Sequence, residues 1–246
     1  MTAPEEQLPS QGQGAGRLPV WAHATPFVAW LAIMSLLGLE IFGDFHPWKY
    51  ALRTGICLVL LFAFRPWRWY ERLKLKNLPL AVGAGVAVLV IWVAPEVHWS
   101  SDMPVWQEFY LRFCVLPLGR LPQTGESILY APKYAGWVYT LVRLAGSAFV
   151  IAVIEEFFWR GFLYRWVIGR DFLKVSLGKF DWEALAFMGI LFGVEHNRWL
   201  AGVLAGLVYL GVMLKTRDIW AAVVAHVVTN FLLGIYVVCV GDYVFW

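Results

Sequence analysis

Seven apolar stretches divide this chain, over residues 25–43, 48–64, 78–95, 137–160, 183–196, 199–214 and 219–240, and they constrain the fold more than any other feature. A helix needs about 20 mostly apolar residues to cross the hydrocarbon core of a bilayer. Inside lipid, every backbone polar group must be satisfied within the protein, so only helices and closed barrels span it. Apolar runs of this length predict an all-α fold, a polytopic transmembrane helical bundle of about seven spans. Composition agrees, with 60% of residues hydrophobic and only 15% charged, where a soluble domain carries more polar surface. Fifteen tryptophans suit the headgroup boundary. The lipid bilayer is thus the first partner. The net charge of +3 offers no polyanion groove, so no nucleic acid partner is expected. Cys57, Cys114 and Cys239 lie far apart, with no CxxC pair, and predict neither a disulfide framework nor a thiolate metal site.

Residues 1–20 are polar and rich in Gln, Gly and Pro, with Glu5 and Glu6 where a signal peptide would be basic. They read as a disordered cytoplasmic tail, followed by a single membrane domain over 21–246. The segment 96–136 carries Glu96, Asp102, Glu108, Arg112, Arg120, Glu126 and Lys133, too many charges to span easily. Its Trp106, Phe109, Tyr110 and Phe113 suggest an amphipathic piece lying in the interface. Basic residues collect in alternate connections: Arg65, Arg68, Arg72, Lys74 and Lys76; then Arg160, Arg165, Arg170, Lys174 and Lys179; then Lys215 and Arg217. The positive-inside rule makes that side cytoplasmic and places the N-terminus there. The expected location is an integral protein of a bacterial inner (plasma) membrane.

The fifth stretch is odd. Its apolar run, Ala184 to Val194, covers only about 16 Å before Glu195-His196-Asn197-Arg198 interrupts it. That is half the hydrocarbon core, so the quartet is expected at membrane depth, facing protein or trapped water. Glu195 and Arg198 read as a local charge pair at a bend.

Two further polar clusters sit in apolar surroundings. Glu155 and Glu156 follow the run Ala148 to Ile154. Glu156 and Arg160 are four apart and share a helix face, whereas Glu155 is turned about 100° away. An intramembrane acid is costly and marks a site by default, although a Glu–Arg pair also serves simply to fix packing. His226 and Asn230 share a face by the same spacing, where interhelical hydrogen bonding is the plainer explanation. At 1.5 Å per residue, His226 lies about 10 Å and His196 about 18 Å from the basic ends of their spans. Three helices thus bring a carboxylate, two imidazoles and an amide into one cavity, expected on the cytoplasmic side.

The order EExxxR, FxxxH, HxxxN, each on a separate hydrophobic span, resembles the CAAX prenyl protease type 2 and bacteriocin-processing family, also called CPBP or ABI. The likeness covers about residues 137–240, which would be the catalytic core. It implies an all-helical intramembrane endopeptidase and CAAX processing, with family roles for Glu155, Glu156, Arg160, His196, His226 and Asn230. A membrane-embedded cavity favours a membrane-anchored or transmembrane peptide substrate.

Peptide hydrolysis needs an activated water, a stabilised oxyanion and a proton for the leaving amine. The expectation is that Glu155, helped by His196, deprotonates the water. His226 and Asn230 donate to the oxyanion, while Arg160, with Glu156, orients the site or meets a substrate carboxylate. No cofactor is then required. A metalloendopeptidase stays open as an alternative, because Glu155, His196 and His226 are a His₂Glu set of the kind that holds catalytic zinc, but without the HExxH pairing. A proton-coupled transporter and a catalytically silent immunity or assembly protein are the other readings.

Overall fold

The computed structural model describes residues 17–39, 46–97, 104–116 and 125–246. Eight helices organise them: α1 (Leu18–Leu37), α2 (Pro47–Phe64), α3 (Leu78–Val93), α4 (Val105–Tyr110), α5 (Pro132–Ile168), α6 (Trp182–Val194), α7 (Trp199–Thr216) and α8 (Ile219–Val240). Helices α1, α2, α3, α5, α7 and α8 are long and apolar enough to cross a membrane, and α6 is a shorter apolar helix. No strand occurs among the described residues. The protein is a polytopic helical bundle integral to a membrane. Residues 1–16 of the expected tail lie outside the described residues. Residues 18–20 of that tail are already helix, because Pro19 sits in the first turn, where its fixed φ starts a helix without loss of a hydrogen bond.

Helix α8 is central, packing on α3, α5 and α7. Its tightest neighbour is α3. A Cβ on Gly85 would come within 2.5 Å of the Ala225 carbonyl oxygen and 2.8 Å of Val228 Cβ, so only glycine permits the approach. Small residues at such crossings are the usual means of packing in lipid, where no hydrophobic force draws helices together. The approach allows Thr229 Oγ1 to donate to the Gly85 carbonyl across the interface at 2.8 Å. The start of α8 is fixed by Asp218. Its Oδ1 accepts from Trp220 N as an N-cap, and its Oδ2 accepts from Lys74 N and Asn77 Nδ2, each at 3.0 Å.

Three expectations about boundaries and pairing change. Residues 137–160 do not form a span closed by a basic connection at Arg160 and Arg165. Helix α5 runs on to Ile168, and both arginines are buried inside it. They are tolerated because internal acceptors meet most of their donors, Arg160 Nε excepted. Arg160 meets Glu156 and the Gly206 carbonyl, and Arg165 meets the Gly161, Leu173 and Val175 carbonyls. The basic connection therefore begins at Arg170, and the alternation of basic ends survives. The near end of α5 carries a kink at Gly136, whose φ of 73° suits glycine. Two π-helical turns, Gly146–Ile151 and Phe157–Leu163, interrupt the helix.

The second change concerns the quartet 195–198. It forms the turn of a hairpin between α6 and α7, but Glu195 and Arg198 do not pair there. Arg198 instead holds Glu96 through Nε and Nη2, the latter at 2.8 Å, and donates to the Val244 carbonyl. Glu195 accepts from Trp159 Nε1 at 3.1 Å. Sequence distance hid both partners. The short helix α4 and the π turn Leu111–Val115 after it fall where the interfacial piece is expected. Val105, Trp106, Phe109 and Phe113 face outward, while Gln107 is buried against the Pro95 and Val97 carbonyls.

The third change is the direction of the interior space. The cavity lined by the polar clusters is bounded by the second half of α1, the first half of α2, the end of α3, the first half of α5, the 195–198 turn and residues 244–246. Each of these lies at the end of its helix remote from the connections bearing Arg65–Lys76, Arg170–Lys179 and Lys215–Arg217. Counting depth along single helices does not give the face toward which the space around the side chains extends. Gly85→Val tests the central packing. Overfilling this crossing is expected to cost about 1–3 kcal/mol, read as a lowered melting temperature in mild detergent.

Candidate active site

The site is built on a chain of buried charges. Arg160 and Glu156 are both fully excluded from solvent, and Arg160 Nη1 donates to Glu156 Oε1 at 3.0 Å. The same oxygen accepts from His226 Nδ1 at 2.9 Å. A carboxylate paired to a guanidinium only accepts, so Nδ1 carries the proton in this arrangement. Arg160 is held in turn by the Gly206 carbonyl at 3.0 Å and lies over the Phe192 ring, 4.3 Å from its centroid. Tyr209 stacks on His226 at 4.6 Å with the planes 20° apart. Helices α5, α6, α7 and α8 all contribute to locking one imidazole.

On the other side of that imidazole lies a cavity of about 390 Å³, and Glu155, His196, His226 and Asn230 all line it. Glu155 Oε2 is 3.9 Å from His226 Nε2 and has no hydrogen-bond partner. His196 Nδ1 donates to the Phe192 carbonyl, one turn back, at 2.7 Å, which turns Nε2 away from its own helix. The Trp92 ring meets His196 edge-on at 5.4 Å. Asn230 Nδ2 donates to the Ser147 carbonyl at 3.0 Å. A carboxamide nitrogen has two hydrogens, so one orients the group and one remains to be given.

The residues singled out in the sequence thus divide into two layers. Glu155, His196, His226 and Asn230 share the cavity. Glu156 and Arg160 stand behind it, fully buried, and neither lines it, so Arg160 is not placed to meet a substrate carboxylate directly. Reading the sequence missed Glu195, Tyr209, Arg53 and Arg143, which line the same cavity. Tyr209 and Arg143 carry no motif. Arg53 lies in an apolar run and carried the same signal as any intramembrane charge. No group of three or more His, Cys, Asp or Glu among the described residues is arranged to hold a metal ion.

Residues 137–232 match the family model described as type II CAAX prenyl endopeptidase Rce1-like. The match covers the segment that carries the site. The matched residues include Glu155, Glu156, Arg160, His196, His226 and Asn230, and the family is one of CAAX-type intramembrane endopeptidases. Searches of curated proteins and of solved structures give no match.

The buried chain of charges makes a stability prediction. Arg160→Met leaves the Glu156 carboxylate buried without its guanidinium. The expected cost is about 3–5 kcal/mol, seen as a large fall in melting temperature. Arg160→Met combined with Glu156→Gln is expected to recover part of it, because the uncompensated charge is gone.

Proposed function

We propose that this protein is an intramembrane endopeptidase that hydrolyses a membrane-embedded or lipid-anchored peptide with a water activated by Glu155. The carrying observation is that one cavity holds an unpartnered carboxylate, two oriented imidazoles and an oriented carboxamide. The Rce1-like match over 137–232 supports the same reading.

In this mechanism a water sits against the Glu155 carboxylate and gives one hydrogen to His196 Nε2, whose lone pair is free because Nδ1–H is spent on the Phe192 carbonyl. Glu155 takes a proton as the water oxygen attacks the scissile carbonyl carbon. The carbonyl oxygen becomes an oxyanion, stabilised by hydrogen bonds from His226 Nε2–H and the second Asn230 Nδ2–H. With Nδ1–H bound to Glu156, His226 carries a proton on Nε2 only as an imidazolium. The Glu156 carboxylate beside it balances that charge. Collapse of the intermediate breaks the C–N bond, and Glu155 passes its proton to the leaving nitrogen. Arg160 acts only through Glu156, as a positioning residue.

The basic ends of the helices are the cytoplasmic side by the positive-inside rule. The cavity extends toward the opposite end, so the substrate is drawn from the outer half of the membrane. Residues 137–240 are the catalytic part of one membrane domain.

Two outcomes check this reading. Glu155→Ala is expected to abolish cleavage of a membrane-tethered peptide library, while exhaustive chelation leaves wild-type cleavage intact; full activity in Glu155→Ala sinks the mechanism. In a chain freed of its three cysteines, Asp242→Cys is expected to react with a membrane-impermeant maleimide on intact cells. Lys174→Cys reacts only after permeabilisation, and the reverse pattern inverts the assigned orientation.

A further inference from the structure

We propose that Arg53 and Arg143 form a carboxylate-binding subsite in the catalytic cavity and select peptides that present an anionic group a short distance from the scissile bond. This rests on the endopeptidase reading above and adds to it the pair of residues that set its specificity. Arg53 lies on α2, outside the family match, and no sequence motif marks either residue.

Both guanidiniums line the cavity that holds Glu155. Both sit against the same ring: Arg53 is 5.2 Å and Arg143 4.4 Å from the Tyr50 centroid. Arg53 also lies 3.8 Å from the Trp30 centroid and Arg143 5.2 Å from that of Tyr130. Among the described residues neither has a carboxylate within ion-pair distance, and the Nε of each is buried without a hydrogen-bond partner. Two like charges against one ring repel each other, and leaving guanidinium donors unpaired in an apolar wall is costly. Aromatic contact offsets part of that cost but uses none of the donors. A planar carboxylate held by the terminal Nη groups of the two forks would give them an acceptor and remove the repulsion.

The subsite is aligned with the chemistry by the shape of α5. Arg143, Ser147, Ile151 and Glu155 all line the cavity at a constant spacing of four. In an α-helix of 3.6 residues per turn such a row drifts around the axis. The wider π turn at Gly146–Ile151 offsets the drift, so the row forms one wall with a guanidinium at one end and the carboxylate base at the other. Twelve residues of helix separate the two by about 18 Å between backbones, and both side chains reach inward. An extended peptide of a few residues, at roughly 3.3 Å each, bridges the remainder. The carboxylate can be the C-terminus of the substrate or an acidic side chain close to the cut.

The test is equilibrium binding to the full chain bearing Glu155→Gln, so that no probe is consumed. Three palmitoylated, fluorescein-labelled peptides are compared by anisotropy: one with a free C-terminal carboxylate, the same peptide as the carboxamide, and the carboxamide with one Glu near its end. The free-acid peptide is expected to bind about tenfold or more tightly than the carboxamide. Recovery by the Glu peptide assigns the side chain as a sufficient source; no recovery assigns the terminus. Adding Arg53→Gln and Arg143→Gln is expected to reduce every peptide to the affinity of the carboxamide. Equal binding of all three peptides to the Glu155→Gln chain overturns the subsite without any double variant having to fold. A preference that persists with both arginines replaced also overturns it. If the preference is absent and phosphatidylglycerol raises the melting temperature of the wild type but not of the double variant, the pair serves a lipid phosphate and the proposal fails. Hydrolysis by the wild type is scored separately, so loss of the endopeptidase reading and loss of the subsite are distinct results.

Discussion

The hydrogen bond from His226 Nδ1 to Glu156 Oε1 is the contact on which the rest of the site depends. It joins α8 to α5 in the middle of the bundle. It fixes which imidazole nitrogen faces the cavity, and it makes Glu156 one member of a rod that ends on Arg160 and the Gly206 carbonyl. Burying three ionisable groups in an apolar bundle is costly unless each answers another. Here each does, and aromatic faces from Phe192 and Tyr209 complete the enclosure. Glu155, one residue along the same helix, is turned out of that rod and toward the cavity. Adjacent carboxylates thereby acquire different work from the helical period alone.

Much of this was legible in the residues. Hydropathy gave the helices because a bilayer leaves the backbone few alternatives. The short run ending at Val194 marked a turn, and the structure puts the tight α6–α7 hairpin there. Spacing of four paired Glu156 with Arg160, which lie on one face of one helix. What could not be read was any partner distant in sequence. Arg198 finds Glu96 rather than Glu195, and Glu195 finds Trp159. Arg165 looked like a loop cation because its acceptors are mostly backbone carbonyls, which have no sequence signature, with the distant Tyr70 hydroxyl beside them. The open side of the cavity was misjudged for a related reason: depth along a helix is a one-dimensional count, whereas a cavity is bounded by several helices that run in opposite directions.

The π turns of α5 connect fold and chemistry. They let one face of one helix carry Arg143, Ser147, Ile151 and Glu155 in line, and the Ser147 carbonyl so exposed is the group that aims Asn230. A regular α-helix with the same residues would scatter them around its axis.

Asp218 has a mechanical consequence. Its two oxygens cap α8 and grip both Lys74 N and Asn77 Nδ2 in the connection before α3. Helix α8 therefore cannot screw or piston along its axis without breaking the two bonds that tie its root to that connection. Whatever breathing admits a substrate must come from the helices that carry no part of the locked rod. Of those bordering the cavity, α1 and α2 hold none of it, and they form the side best suited to swing like a door while the hinge post stays still.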